Sequence, residues 1–229
     1  MDKEWQITQD KFLNKTELAA VLRRMDEIKT IGEAKKRPQL IRDWMLINTF
    51  LFTGLRRFEV CELHCSDFKI FGGNSYLIVR RGKGGKSRQV HLPPMFKKNV
   101  AWYLRYKAER GEIESPETFF LRTERSEQYS PSGIYKRWKK YVPAHRLHDA
   151  RHTCATALYE ATLSLRLVQK TLGHASISST QIYADVPPDQ MISGMTAMEK
   201  LVQSTKKPSR AINGIASLIT PPESTSQAM

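Results

Sequence analysis

Four polar residues recur at fixed offsets in the stretch from Arg146 to Val186: His148, Arg151 three positions later, His174, and Tyr183 nine beyond that. Two further cations stand upstream, Arg56 in TGLRRFEV and Lys83 in RGKGGKSRQVHL. These residue types suit a phosphate diester. A guanidinium offers paired donors to two oxygens and stays charged at any physiological pH. An ammonium on a glycine-rich turn can reach an ester oxygen. A phenol can act as a nucleophile once a cationic setting or a base helps it shed its proton. HDARH sets His148, Arg151 and His152 at a helix start, a group awkward in a core but suited to an anion, which the helix N-terminus also attracts.

Taken singly, each piece has a plainer reading. Arg56 and Glu59, three apart on one helix face, could be a weak surface ion pair. GKGGK joins two strands and lacks the spacing and terminal Lys-Ser/Thr of a nucleotide-binding loop, so it reads equally as a hairpin turn. His174 in LGH could sit at a helix stop, and Tyr183 could be a packed core aromatic. Two metal readings are weak. His148 and His152 lack the glutamate of a zinc HExxH motif. Cys61, His64 and Cys65 in CELHC lack a second cysteine pair and read as a buried helix-to-strand junction. No metal and no cofactor is expected.

Composition narrows the partner. Thirty-seven Lys and Arg against 23 Asp and Glu give a net charge of +14 and a pI near 9.8, which favours a polyanion. Charge alone fits DNA, RNA or an anionic membrane surface. The longest apolar run, Met45 to Phe52, is broken by Asn48 and Thr49 and falls well short of the about 18 residues of a membrane span. MDKEWQITQDK has no apolar segment of the kind a leader peptide carries. Three cysteines, an odd number without a framework, suit a reducing compartment, so the expected location is cytoplasmic.

The elements that must position these residues are mostly helical. Asn14 followed by Glu17 is a helix start, with Leu13 placed to staple onto Leu18. Leu18, Val21, Leu22, Met25 and Ile28 then form one helical face. TIGEAKKRP reads as the loop that ends it, punctuated by Gly32 and Pro38. Apolar residues surround the next helix, 39–52, so it is expected to be central. A short helix follows from Arg56 to Leu63. SDFKIF, SYLIVRR and SRQVHL, separated by glycines, predict three antiparallel strands. Helices are expected from Pro93-Pro94 to about Arg110, from Ser130-Pro131 to Val142, over 148–163, over 165–172, and around Tyr183. An amphipathic helix over about 188–203 carries Ile192, Met195, Met198, Leu201 and Val202 as a stripe. The fold class is therefore mainly α with a small three-stranded antiparallel sheet. Residues 1–12 read as a flexible lead, 13–187 as one domain, and 204–229, rich in Ser, Pro and Thr, as a disordered tail.

The joint pattern is more specific than its parts. Arg in TGLR, Lys in a GKGxK hairpin, HxxR, LGH and a Tyr nine after that His resemble the catalytic set of the tyrosine recombinases (phage-integrase family), from about Leu13 to Val186. The resemblance implies a site-specific recombinase fold and activity, passing through a 3′-phosphotyrosyl intermediate. It makes Arg56 and Arg151 guanidinium clamps, Lys83 the general acid and Tyr183 the nucleophile. His148 becomes an assisting base or donor, His174 a further phosphate donor and Glu59 a support. The basic residues Arg57, Lys86, Arg88, Lys136 and Arg137 are expected to contact double-stranded DNA. A homo-tetramer on paired sites is implied, docked through the helix at 188–203, with an accessory DNA-binding protein as a further partner. Two departures stand out. Ala150 occupies a position where the family usually has leucine. Only about 12 residues precede the first helix, leaving no room for the usual clamp domain, as in the short fimbrial-inversion type. Alternatives are a type IB topoisomerase-like nicking and resealing enzyme, a catalytically silent DNA-binding regulator of the same fold, and, from charge alone, an RNA-binding protein.

Overall fold

The computed structural model describes residues 12–82, 85, 87–173 and 188–206. Eight helices lie in this part: α1 (Lys15–Ala34), α2 (Pro38–Thr53), α3 (Arg57–Cys61), α4 (Pro94–Glu109), α5 (Pro131–Tyr141), α6 (Leu147–Thr162), α7 (Leu165–Leu172) and α8 (Pro188–Lys206). Three antiparallel strands, β1 (Phe68–Lys69), β2 (Tyr76–Val79) and β3 (Arg88–His91), form one sheet in chain order. The expected α class with a small sheet is the architecture observed. Among the described residues no helix is long and apolar enough to cross a membrane.

α1 starts where Asn14 predicts. The Asn14 side chain accepts from the Glu17 amide at 3.0 Å, and the Glu17 carboxylate accepts from the Asn14 amide at 2.9 Å. Its end differs from the sequence reading, because the helix runs on through Gly32 to Ala34. Gly32 is there for close approach and is no stop signal. A Cβ on it would lie 2.9 Å from Ile41 Cγ1 on α2, so α1 and α2 pack backbone to side chain at this point. α2 is buried on nearly every side, from Ile41 to Thr53. It forms the axis against which α1, α4, α5 and α6 pack.

The first strand is shorter than SDFKIF suggests. Asp67 turns Cys65–Asp67 into a 3-10 turn by accepting from the His64 amide at 2.8 Å, and it also takes Arg80 Nε at 2.6 Å. Phe119 forms an isolated antiparallel bridge to His64. Its connector is tied to α4 by Lys107, which is fully buried and donates to the carbonyls of Phe119 and Phe120 at 2.9 and 3.2 Å.

α8 lies on its own domain, against α1 and α6 with smaller contacts to α7 and α4. Its buried stripe is Met191, Met195, Met198 and Val202, so Ile192 and Leu201 of the expected stripe fall at its half-buried edges. Gly194 permits the approach, since a Cβ there would meet Leu167 and Thr162 at 2.9 Å. The Glu199 carboxylate accepts from the Met95 amide and so caps α4. The stripe assigned to a neighbouring protomer is thus filled from within the chain.

Trp138 on α5 shows how the core reaches the site. It is fully buried, meets Phe50 edge-on at 6.0 Å, and donates Nε1–H to the His145 carbonyl at 3.1 Å. That bond fixes the turn entering α6. Trp138→Ala is expected to lower stability by about 4 kcal/mol, with Trp138→Phe losing far less. Urea unfolding of the two variants checks this.

Candidate active site

Gly54 caps α2 in the left-handed region at φ 59° and ψ 24°. A Cβ there would sit 2.6 Å from Leu172 Cδ2, so the turn also needs glycine for space. The turn delivers Arg56 to the start of α3. Glu59, one turn on, accepts from the Arg56 amide at 2.8 Å and from its guanidinium at 3.0 Å. The bland surface pair of the sequence reading is therefore half of a buried arrangement, the Glu59 side chain being 4% exposed.

The other half comes from β3. Arg88 places both terminal nitrogens on the Glu59 carboxylate, at 2.7 and 2.8 Å, while its Nε points at the Thr171 carbonyl at 3.4 Å. Burial opposes the charge of Glu59, but the bonds from Arg88 and from the Arg56 backbone prevail and hold its carboxyl below the ordinary value. Arg88 was expected to face DNA. It is turned inward instead, because Val90 and Leu92 point to the core and strand alternation puts Arg88 on their side.

Arg151 enters from α6 and is 3% exposed. Its two terminal nitrogens donate to the Gly54 and Leu172 carbonyls, each at 2.7 Å. It thereby bolts the turn before α3 to the end of α7. Burial, then the charges of Arg56 and Arg88, push its pKa down to about 10, so the guanidinium remains charged at neutral pH. His148 stands one turn earlier on the same helix, exposed, with its ring edge-on to His152 at 4.7 Å. Partial desolvation and the charges of Arg151 and Arg56 lower its pKa, against an opposing pull from Asp149, which leaves the imidazole neutral at pH 7.

The structure therefore brings Arg56, Glu59, His148 and Arg151 together and adds Arg88. Two guanidinium groups bond the Glu59 carboxylate and a third, that of Arg151, lies within electrostatic reach of it, so the cluster holds three positive charges and one negative among the described residues. A cleft of about 440 Å³ opens beside His148 and Arg151, walled by Ala155, Tyr159, Val168 and Leu172. Such an arrangement can hold an anion with several oxygens. Among the described residues no three His, Cys, Asp or Glu side chains are grouped to hold a metal ion. Cys61 and Cys65 are buried, and burial raises both thiols, Cys61 to about 11.

Lys83, Lys86, His174 and Tyr183 lie outside the described residues. The strands that flank Lys83 are in register, with Val79 opposite Arg88. Gly173, which precedes His174, caps α7 at φ 68° and ψ 51°. Of the remaining basic residues, Lys136 is exposed on α5, and Arg57 lies over the Phe58 ring at 5.3 Å. Arg137 reaches the fully buried Asp43 at 3.3 Å, where Tyr141 and Gln39 also donate, each at 2.7 Å. No spacing in the sequence marked Asp43, because two of its partners, Arg137 and Tyr141, lie 94 and 98 residues away on α5.

Residues 21–189 match the family model described as the phage integrase family. The tyrosine recombinase XerA of Pyrococcus furiosus is 34% identical over 166 residues, which is 70% of this chain and 56% of that protein. XerC of Proteus mirabilis is 34% identical over 156 residues, 65% of this chain and 48% of that protein. The chain spans about half the length of these curated relatives. Among solved structures, the XerH site-specific recombinase bound to its difH substrate in a pre-cleavage complex aligns with TM-score 0.59 at 27% identity, over 72% of this chain and 47% of that one. The crystal structure of XerA recombinase aligns with TM-score 0.56 at 20% identity, over 86% and 66% of the two chains, a likeness of fold.

Proposed function

This chain belongs to the phage integrase family, and on that premise we propose that it is a site-specific DNA recombinase that cleaves and rejoins strands through a 3′-phosphotyrosyl intermediate. The observation that carries the proposal is the meeting of Arg56 and Arg88 on a single carboxylate, Glu59, with Arg151 held on the Gly54 carbonyl next to them, beside an exposed neutral imidazole. A scissile phosphate supplies the missing negative charge. It gains further charge in the transition state, and fixed donors aimed there are each worth on the order of 3 kcal/mol.

In this reading the Tyr183 oxygen attacks phosphorus and the bond to the 5′-oxygen breaks. Lys83 gives its proton to that oxygen, and His148 helps remove the phenol proton. Arg56 and Arg151 bind the non-bridging oxygens with donors left over from their structural bonds, and His174 adds another. The new ester retains the energy of the old one, so a 5′-hydroxyl from a second strand can attack it and exchange strands without a nucleotide cofactor.

The net charge of +14 supports a double-stranded DNA partner and predicts binding that weakens steeply with salt. Lys136, Arg57 and Lys86 are proposed as DNA contacts, and Arg137 as one held in place by Asp43. A cytoplasmic location, a tetramer on paired sites and an accessory DNA-binding protein belong to the same proposal. Docking through α8 requires that helix to leave its own domain for a neighbour, an exchange of identical contacts with little net cost in buried surface.

The test is covalent capture. Protein is mixed with DNA of its own replicon carrying nicks that prevent religation, and is then denatured in SDS. The expected product is a protein–DNA adduct whose linked peptide contains Tyr183. Formation that needs two sites separates a recombinase from a topoisomerase-like enzyme. Absence of any adduct would leave a DNA-binding regulator as the better reading.

A further inference from the structure

The phosphate-binding set implied by the family pattern does not include Arg88, yet Arg88 bonds the Glu59 carboxylate with both terminal nitrogens, at 2.7 and 2.8 Å. We infer that Arg88 is a positioning residue: it neutralises Glu59 so that Arg56 is held in place while keeping donors free for the phosphate. The inference rests on the recombinase reading of the same site.

Glu59 accepts from four donors, the Arg56 amide, one Arg56 nitrogen and both terminal nitrogens of Arg88. Arg56 therefore spends a single guanidinium nitrogen on Glu59, and its side chain stays 27% exposed. Arg88 spends both terminal nitrogens there, and its side chain is 12% exposed. Remove Arg88, and the full charge of a buried carboxylate is left to Arg56 alone. A carboxylate and a phosphate would then compete for the same guanidinium. Positive charge at the phosphate also falls by one.

The location explains why a strand residue does this. Arg88 is the first residue of β3, a short step after the Lys83 turn, and its Nε reaches the end of α7. Its stem passes so close to Gly173 that a Cβ there would lie 2.7 Å from Arg88 Cδ. One side chain thus sets the distance between the hairpin, the start of α3 and the residue preceding His174.

The experiment measures single-turnover capture of nicked DNA, with DNA affinity and thermal melting recorded separately. Arg88→Met is expected to slow capture roughly 10- to 100-fold with little change in DNA affinity. Adding Glu59→Gln to it removes the competing charge, so the double variant is expected to be several-fold faster than Arg88→Met alone. A strut that only holds the fold predicts the reverse, a double variant no faster than either single one and rates that track melting temperature. Arg88→Lys, which keeps the charge but not the fork, is expected to lie between wild type and Arg88→Met, and it carries the test if Arg88→Met does not fold. Capture by Arg88→Met at the wild-type rate, or no recovery on adding Glu59→Gln, overturns the role. Wild-type protein that forms no adduct at all overturns the recombinase reading itself, and this role with it.

Discussion

Tyr183→Phe will leave no SDS-resistant adduct on nicked DNA, under conditions in which the wild-type protein is captured. The substitution removes one oxygen and keeps the aromatic ring. The removed atom is the proposed attacking group. An unperturbed phenol, with a pKa of about 10, is mostly protonated at pH 7. In the proposed chemistry its reactivity comes from the arginine cluster, which Phe leaves in place. DNA binding by Tyr183→Phe is therefore expected to match wild type in a salt titration, while capture disappears. Capture by the Phe variant would overturn the nucleophile assignment and would direct attention to another hydroxyl.

Arg151→Met separates catalysis from stability in the opposite way from a core substitution. Capture is expected to fall by a factor on the order of 10² to 10³, the usual effect of removing one preorganised donor from a developing oxyanion. Stability is expected to fall by no more than about 3 kcal/mol, because two large effects oppose each other. The Gly54 and Leu172 carbonyls lose charge-assisted bonds of 2.7 Å, each worth about 1.5–3 kcal/mol. Against that, a buried guanidinium whose pKa burial and neighbouring arginines push down to about 10 is removed, which relieves about 3 kcal/mol. Thermal melting beside single-turnover capture checks both parts. Unchanged capture would remove Arg151 from the proposed chemistry. A large loss of stability would show that its two carbonyl bonds outweigh the charge it buries.

The start of α1, the central α2 and the three-stranded sheet were legible in the sequence because each rests on local chemistry. Asn14 and Glu17 satisfy helix-end amides within one turn. The all-round apolar run of α2 has nowhere to go but the interior. The strands follow from alternation and the glycines between them. Local signals misread Gly32, where a helix continues because a neighbouring helix needs the space of a missing side chain. On α8 they mark Met195, Met198 and Val202, which are buried, but contacts with α1 and α6 bury Met191 and leave Ile192 and Leu201 half-buried at the edges of the stripe.

At the site, sequence spacing determined which residue types were available: Arg56, Glu59, His148 and Arg151 by offsets within a helix turn, and Lys83, His174 and Tyr183 by their motifs. Only the tertiary structure decided how their charges are shared. Arg88 is 29 residues from Glu59, Arg137 is 94 from Asp43, and Arg151 is 97 from the Gly54 carbonyl that receives it. A basic residue read alone looks like a DNA contact. Whether its charge reaches the solvent depends on a carboxylate or carbonyl that chain folding brings beside it, and no pattern of neighbours along the chain encodes that meeting.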